Sequence, residues 1–266
     1  MTSSHITKLL RAIIILAVAI VMSHAPALAA GPATPLSIPR ESLSYKVMFK
    51  WGLINKKAGW ARLDYSPAGA TATAVLYAGS EPWADKLYYL RDTLTTRMST
   101  ANHTPEYYER VANEDGKYAR DVVRFTRDGN RVTATTRRYR RARPGAELKQ
   151  ADAELEAIGE TVDMVSAFYY ARTMPFAKMA PGQQRIINIF SAKKKERLTI
   201  TFAGTETVRI DNRSYDTYHI KFRFTTDGGK QSSDDIDTWV ETAAPHRPVK
   251  LEGKLKIGKI MCLLEP

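Results

Sequence analysis

The histidines that could act as bases or metal ligands are few. After the first thirty residues the sequence holds His103, His219 and His246. No serine or cysteine stands in a nucleophile-elbow pattern, and no His-x-x-x-His or paired-cysteine spacing is present. His219 alternates with Tyr218 and Ile220, so on a strand it points away from the core face. We interpret His219 as an exposed sheet histidine, with a catalytic role as the alternative.

The remaining reactive side chains also lack the setting that chemistry requires. Cys262, the single cysteine, is followed by two leucines in a strand-like run, where a thiol behaves as a small core hydrophobe. Asp234, Asp235 and Asp237 could offer oxygen ligands to a hard cation, but they lack the internal glycine and terminal glutamate of a calcium loop. We interpret them as a solvated strand entrance. No phosphate-cradling glycine loop is present, and the sequence therefore predicts no metal and no cofactor.

The densest charge feature is a run of five arginines between residues 137 and 143. On a strand, Arg138 and Arg140 project to one face and Arg141 to the other. The planar guanidinium group suits phosphate and carboxylate, so these three arginines are candidate anion-binding residues. The alternative interpretation is a charged edge strand that discourages sheet-to-sheet aggregation.

Four aromatic residues are candidates for an apolar ligand site: Phe49, Trp51, Phe222 and Phe224. Beneath a curled sheet they would line a hollow able to hold an acyl chain, as in the curved half-barrels of lipoprotein carriers. The alternative is that they fill the core. A glycan-acting enzyme would need two carboxylates at a defined distance from each other in the folded protein. The sequence indicates no such pair.

Strands must position most of these residues. Residues 43–51 alternate cleanly, and further strand patterns follow at 58–65, 71–78, 93–99 and 107–111. The turn Asp128-Gly129-Asn130 predicts a hairpin between 117–127 and 131–141, with Val123 and Phe125 facing the core. From residue 185 the chain is almost entirely strand and turn. The pattern predicts a mainly β protein: one strongly curved antiparallel sheet, a half-barrel or open barrel, with one or two short helices packed against it.

Several segments depart from the alternating strand pattern, and each of them predicts a particular local structure. Residues 82–90 show helical spacing for one or two turns, and 145–159 read as an exposed connection or frayed helix. Residues 161–172 form the best helix after the leader, capped by Thr161 and covering one mouth or face of the sheet. The apolar parity switches at Gly258, which predicts a bulge in the last strand.

The N-terminus predicts export. Lys8 and Arg11 precede an apolar run at 12–22, and Ala27 and Ala29 supply a cleavage pattern, so residues 1–29 read as a signal peptide. A run of about eleven residues is short of the roughly 20 that span a bilayer, which leaves a retained anchor as the weaker alternative. Residues 30–40 form a proline-rich, mobile tether, and residues 41–266 form a single β-rich domain. We do not expect a transmembrane protein.

The net charge of the chain limits the kinds of binding partner that we expect. The formal net charge of +12 falls to +10 without Lys8 and Arg11. For an exported chain the expected anions are lipid headgroups, lipopolysaccharide or acidic glycans, and not nucleic acid. The excess of basic residues would also be explained if the proteins of the source organism are basic in general.

Five segments of the sequence are informative when they are taken together. They are residues 45–54 (YKVMFKWGLI) with Ala58-Gly59, 163–172 (DMVSAFYYAR), 238–240 (TWV), 247–251 (RPVKL) and 255–260 (LKIGKI). Their order resembles an exported bacterial family known as domain of unknown function 3108. The turn at 242–245 departs from that pattern, because a more acidic turn is expected before Arg247. The resemblance implies an exported, non-catalytic β domain and assigns no functional residues.

Together these observations predict a non-catalytic binding or assembly module in the periplasm or at the outer membrane, with lipid, another apolar molecule, an acidic glycan or an envelope protein as its partner. A glycan-acting enzyme and a structural scaffold are the alternatives.

Overall fold

The computed structural model describes residues 36–266. The predicted signal peptide, residues 1–29, and residues 30–35 of the predicted tether lie outside the described residues. The rest of the tether is not a free linker, because Ile38 is buried in the main hydrophobic core and Leu36 packs against that core. Residues 36–40 therefore pack as part of the domain.

Within residues 36–266, fifteen strands form a single sheet made of two meanders. The first meander contains β1 (Glu41–Trp51), β2 (Ile54–Ala68), β3 (Thr71–Ser80), β4 (Leu90–Ser99), β5 (Pro105–Glu114), β6 (Lys117–Asp128), β7 (Arg131–Arg141) and β8 (Lys149–Ile158). The short β9 (Thr161–Val162) leads to the second, which contains β10 (Gln184–Ser191), β11 (Lys194–Ile210), β12 (Arg213–Thr226), β13 (Ile236–Glu241), β14 (Pro248–Lys254) and β15 (Lys259–Leu264).

Pairing of the first and last strands joins the two meanders. β1 lies antiparallel to β15, so the sheet runs from β8 to β1 and then from β15 to β9. All neighbouring pairs are antiparallel except β9 and β10. With 65% strand, the mainly β prediction is confirmed.

The sheet curls until it is nearly a closed barrel, a further step than the half-barrel that the sequence predicted. Only Gly159 and Glu160 separate β8 from β9, so the two edges of the sheet stay close. The Thr136 hydroxyl of β7 donates to the Ala192 carbonyl at 2.9 Å, which brings the β10–β11 turn beside β7. Strand β11 also lies against β8.

A buried helix occupies the interior. Helix α1 (Pro82–Asp85) is a short turn on β2, whereas six of the seven residues of α2 (Ser166–Arg172) are buried. Tyr169 packs into one hydrophobic cluster and Tyr170 into the other. The helix therefore lies within the curled sheet and does not cover a mouth from outside. A 3₁₀ turn (Phe176–Lys178) follows it. Among the described residues no helix is long and apolar enough to cross a membrane.

The start of α2 differs from the prediction. Thr161 lies in β9, and Asp163 caps the helix: its Oδ1 accepts from the Val165 and Ser166 amides at 2.7 and 2.9 Å. The Ser166 hydroxyl in turn accepts from the Asp163 amide at 2.9 Å. This reciprocal cap satisfies amides that would otherwise be buried without partners.

Three local predictions are wrong. Residues 149–158, expected as a connection or helix, form β8 because they complete a ladder with β7, including an Arg137–Asp152 ion pair at 3.5 Å. The first hairpin turns at Gly52, whose φ is +54°, so β2 begins at Ile54 and not at residue 58, where the strand pattern was expected to begin. Gly258, with φ +77°, lies in the turn between β14 and β15, so the parity switch separates two strands instead of marking a bulge.

Candidate functional site

A group of charged side chains lies on the inner face of the sheet toward one end of β4–β7. Asp92 shares the parity of buried Leu90 and Leu94, and Asp121 shares that of buried Val123 and Phe125. Because side chains alternate along a strand, both carboxylates point inward. We call the group the charged mouth; it consists of Asp92, Arg110, Glu114, Asp121, Arg138 and Arg140.

Strand register arranges the charged mouth in alternating sign. Arg110 lies opposite Asp121, and Asp121 lies opposite Arg138. Arg140 donates to both oxygens of Asp121 at 2.6 and 2.7 Å, and Arg138 Nε lies 3.3 Å from Asp121. On the other side Arg110 bridges two acids: it lies 2.8 Å from Asp92 Oδ2 and also bonds Glu114.

Burial strongly affects the innermost carboxylate. The Asp92 side chain is fully buried, and this burial raises its pKa to about 6 although Arg110 works in the opposite direction. Asp92 Oδ1 and Arg110 Nε are buried without a hydrogen-bond partner among the described residues. An unpaired buried polar atom costs about 1–3 kcal/mol, so this mouth has hydrogen-bonding capacity that the protein itself does not use.

Arg138 and Arg140 are the members of the charged mouth whose side chains are the most exposed to solvent. The Arg138 and Arg140 side chains are 20% and 36% exposed, whereas the Asp121 side chain that they bind is 2% exposed. Arg138 contacts Asp121 through Nε, and within residues 36–266 no acceptor is found for its two terminal nitrogens. The planar fork of Arg138 therefore remains available to a carboxylate or phosphate.

The third predicted anion-binding residue lies elsewhere. Arg141 points to the outer face, with its guanidinium 5.4 Å from the Tyr118 ring centroid. The structure thus brings together Arg138 and Arg140 but not Arg141. The edge-strand interpretation of this run is wrong, because β7 pairs with β6 on one side and β8 on the other.

The four aromatic candidates do not meet in one hollow. Phe222 is buried, with its ring 5.7 Å from Phe168 of α2, and Phe224 packs against the same cluster. Phe49 is half-buried, and Trp51 is 44% exposed near the tip of the β1–β2 hairpin. Helix α2 occupies the space beneath Phe222 that the apolar-ligand hypothesis left for a ligand.

His219 points away from the face that Phe222 occupies, as its parity predicted, but it is half-buried and not exposed. Its Nε2 is 2.7 Å from Asp237, its Nδ1 is 3.3 Å from Glu206, and its ring stacks on Trp239 with centroids 4.6 Å apart. No serine or cysteine hydroxyl or thiol contacts this imidazole in the described part of the chain. Its contacts are those of an outer-face hydrogen-bond network.

Asp235 and Asp237 of the acidic stretch pair with basic side chains, and Cys262 packs against the main hydrophobic cluster. Asp235 accepts from Arg223 at 2.8 and 2.7 Å. Residues 36–266 contain no group of three or more metal-ligating side chains. Burial raises the pKa of the Cys262 thiol to about 12, which keeps it protonated and unreactive at neutral pH.

Comparison with known proteins places this geometry in a family. A family model described as a protein of unknown function (DUF3108) matches residues 44–265. The chain belongs to the DUF3108 family. This confirms the resemblance inferred from the hairpin, helix and C-terminal segments. No curated protein matches the sequence.

The DUF3108 fold has a solved counterpart. The crystal structure of a beta-barrel-like protein of domain of unknown function DUF1849 from Brucella abortus aligns with a TM-score of 0.56. The alignment covers 86% of this chain and 97% of that one at 10% identity. At this identity the likeness shows the fold alone.

Proposed function

We propose that this DUF3108 protein is an exported, non-catalytic binding module of the cell envelope, and that its charged mouth takes a carboxylate or phosphate group of an envelope molecule. The observation that carries the proposal is the pair of terminal nitrogens of Arg138, which have no acceptor among the described residues and lie beside Arg140 where both arginine side chains reach solvent. The leader predicted at residues 1–29 supports export, and the net charge supports an anionic ligand.

Below about pH 6, the charge balance of the mouth favours an anion over a cation. Three guanidinium groups face three carboxylates in the mouth, and Asp92, with a pKa of about 6, becomes neutral in mild acid. The mouth then carries one net positive charge. Envelope molecules with uronic acid or phosphate groups fit this site, and a simple uronic acid is a suitable probe because its carboxylate stays ionised throughout this pH range.

An acyl chain has less support as the ligand. Phe222 and Phe224 pack against α2 and its cluster, whereas the polar side of the interior retains unpaired atoms. Native mass spectrometry of the protein purified without detergent distinguishes the two. A co-purified acyl-chain mass, displaced by an apolar probe, would favour a lipid and count against the charged mouth.

The binding test uses two arginines of the same strand. Arg138→Gln removes a mouth guanidinium, and Arg141→Gln removes an outer-face one and serves as the matched control. Calorimetry with galacturonate and inorganic phosphate should show about tenfold weaker binding for R138Q and unchanged binding for R141Q, since a charged hydrogen bond contributes about 1.5–3 kcal/mol.

Two results would contradict the proposal. One is no binding of either probe by the wild-type protein. The other is an equal loss in R138Q and R141Q, which would indicate diffuse attraction to a basic surface and no specific site.

A further inference from the structure

Three of the four consecutive residues at the tip of the β1–β2 hairpin have large, apolar and exposed side chains. Trp51, Leu53 and Ile54 are 44%, 105% and 47% exposed, around the turn at Gly52. Leu53 therefore has no covering contact at all. A tight turn in a soluble sheet is ordinarily polar, because exposed leucine, isoleucine and tryptophan contribute nothing to folding there.

A second turn lies against this tip. Lys50 of β1 is opposite Lys259 of β15, and a Cβ built on Gly258 would lie 3.0 Å from Trp51 Cβ. The β14–β15 turn therefore extends the same surface, and it adds half-buried Leu255 and Ile257. We call the two turns together the hairpin-tip surface, residues 50–57 and 254–259.

Lysines surround the apolar residues of this surface. Lys57 is 3.4 Å from Glu81, Lys259 is 2.7 Å from Glu252, and Lys56 lies over the Trp83 ring at 4.0 Å. The other three are exposed and have no ion pair within the described chain. The six lysines are Lys50, Lys56, Lys57, Lys254, Lys256 and Lys259.

We propose that the hairpin-tip surface docks on an anionic lipid bilayer, with Trp51, Leu53 and Ile54 entering the boundary between headgroups and acyl chains. Tryptophan is favoured at that boundary, and lysines close to the membrane surface attract lipid phosphates. A second copy of the same surface is a poor occupant, because it would bring six lysines against six. This inference goes beyond the proposed function and uses none of the residues of the charged mouth.

The test uses vesicles of phosphatidylglycerol and phosphatidylethanolamine, with phosphatidylcholine vesicles as the uncharged comparison. The mature protein should co-sediment with the former and shift its tryptophan emission to the blue, and bind phosphatidylcholine at least tenfold more weakly. Leu53→Glu should reduce binding to the anionic vesicles at least tenfold. Leu148→Glu, at an exposed leucine in another connection, should bind as the wild type does.

Further variants separate the possible outcomes. Arg138→Gln should leave vesicle binding unchanged, so a failure of the mouth proposal and a failure of this one are distinguishable. Equal binding by L53E and L148E would overturn the inference. So would a wild-type protein that ignores anionic vesicles, or one that forms dimers which L53E abolishes.

Discussion

Individual residues explain why charged side chains point into the interior of this protein and how they are paired there. Asp92 lies between the core residues Leu90 and Leu94, and Asp121 precedes the core residue Val123 at the same two-residue spacing. Burying a carboxylate there is costly unless it is paired, and the facing arginines supply that pairing. The Asp121 pairing could have been predicted from the sequence, because the turn at 128–130 sets the β6–β7 register and places Asp121 opposite Arg138.

Asp92 should make stability depend on pH in a direction opposite to that of an ordinary surface carboxylate. Its pKa in the folded protein is about 6, above the usual 3.8, so the folded state binds more protons than the unfolded state between these values. Its ionisation therefore reduces stability as pH rises from about 4 to 6, by roughly 3 kcal/mol at about 1.4 kcal/mol per pKa unit.

Asp92→Asn isolates this effect, because the amide does not titrate. Urea unfolding at pH 4, 6 and 8 should show the stability of D92N relative to wild type rising by about 3 kcal/mol across the series. The comparison is made between two proteins at each pH, so that other titrating groups, such as buried His103, largely cancel. Parallel pH profiles would contradict the burial of an ionised Asp92.

At the scale of elements, α2 organises the interior. Tyr169 is buried and stacks on Tyr65 with ring centroids 4.7 Å apart, while its hydroxyl has no partner among the described residues. Arg172, at the other end of the helix, is also buried and bonds Glu41 of β1 and the Pro245 carbonyl at 2.8 Å. The helix thus ties the start of the first meander to the second.

Two substitutions at Tyr169 should differ in sign. Tyr169→Ala should cost about 3–5 kcal/mol, because it leaves a cavity between α2 and β2. Tyr169→Phe should be neutral or stabilising, because it removes an unpaired buried hydroxyl. Chemical denaturation measures both. A loss above about 1 kcal/mol in Y169F would mean that the hydroxyl has a partner, such as a bound ligand.

The elements that could be predicted from the sequence are those with local causes. Strand β1 follows from strict alternation, and the β6–β7 hairpin follows from its glycine turn. Strand β8 could not be recognised, because its alanines and glutamates favour helix and only the ladder with β7 makes it a strand. Closure of the sheet around α2 depends on contacts between distant segments, such as that from Thr136 to Ala192, which no local pattern encodes.

At the scale of the whole molecule, charge is divided among three regions. The outer face carries ion pairs such as those of Lys221 with Asp237 and Arg223 with Asp235, and the hairpin-tip surface carries lysines around exposed apolar residues. The charged mouth is a third, inward region. Within the candidate anion site, the sequence pattern indicates Arg138 and Arg140, whereas the placement of Asp92 and Arg110 depends on the β4–β5 pairing across an irregular register.

The location of bound ligand decides whether the charged mouth is the binding site. Galacturonate should be titrated into the isotope-labelled mature protein while backbone and arginine side-chain NMR signals are followed. Binding at the mouth should produce saturable shifts confined to β4–β7 around Asp92, Arg110 and Arg138. Shifts centred on the outer face near His219, along the apolar side of α2, or spread over all surface lysines would contradict it.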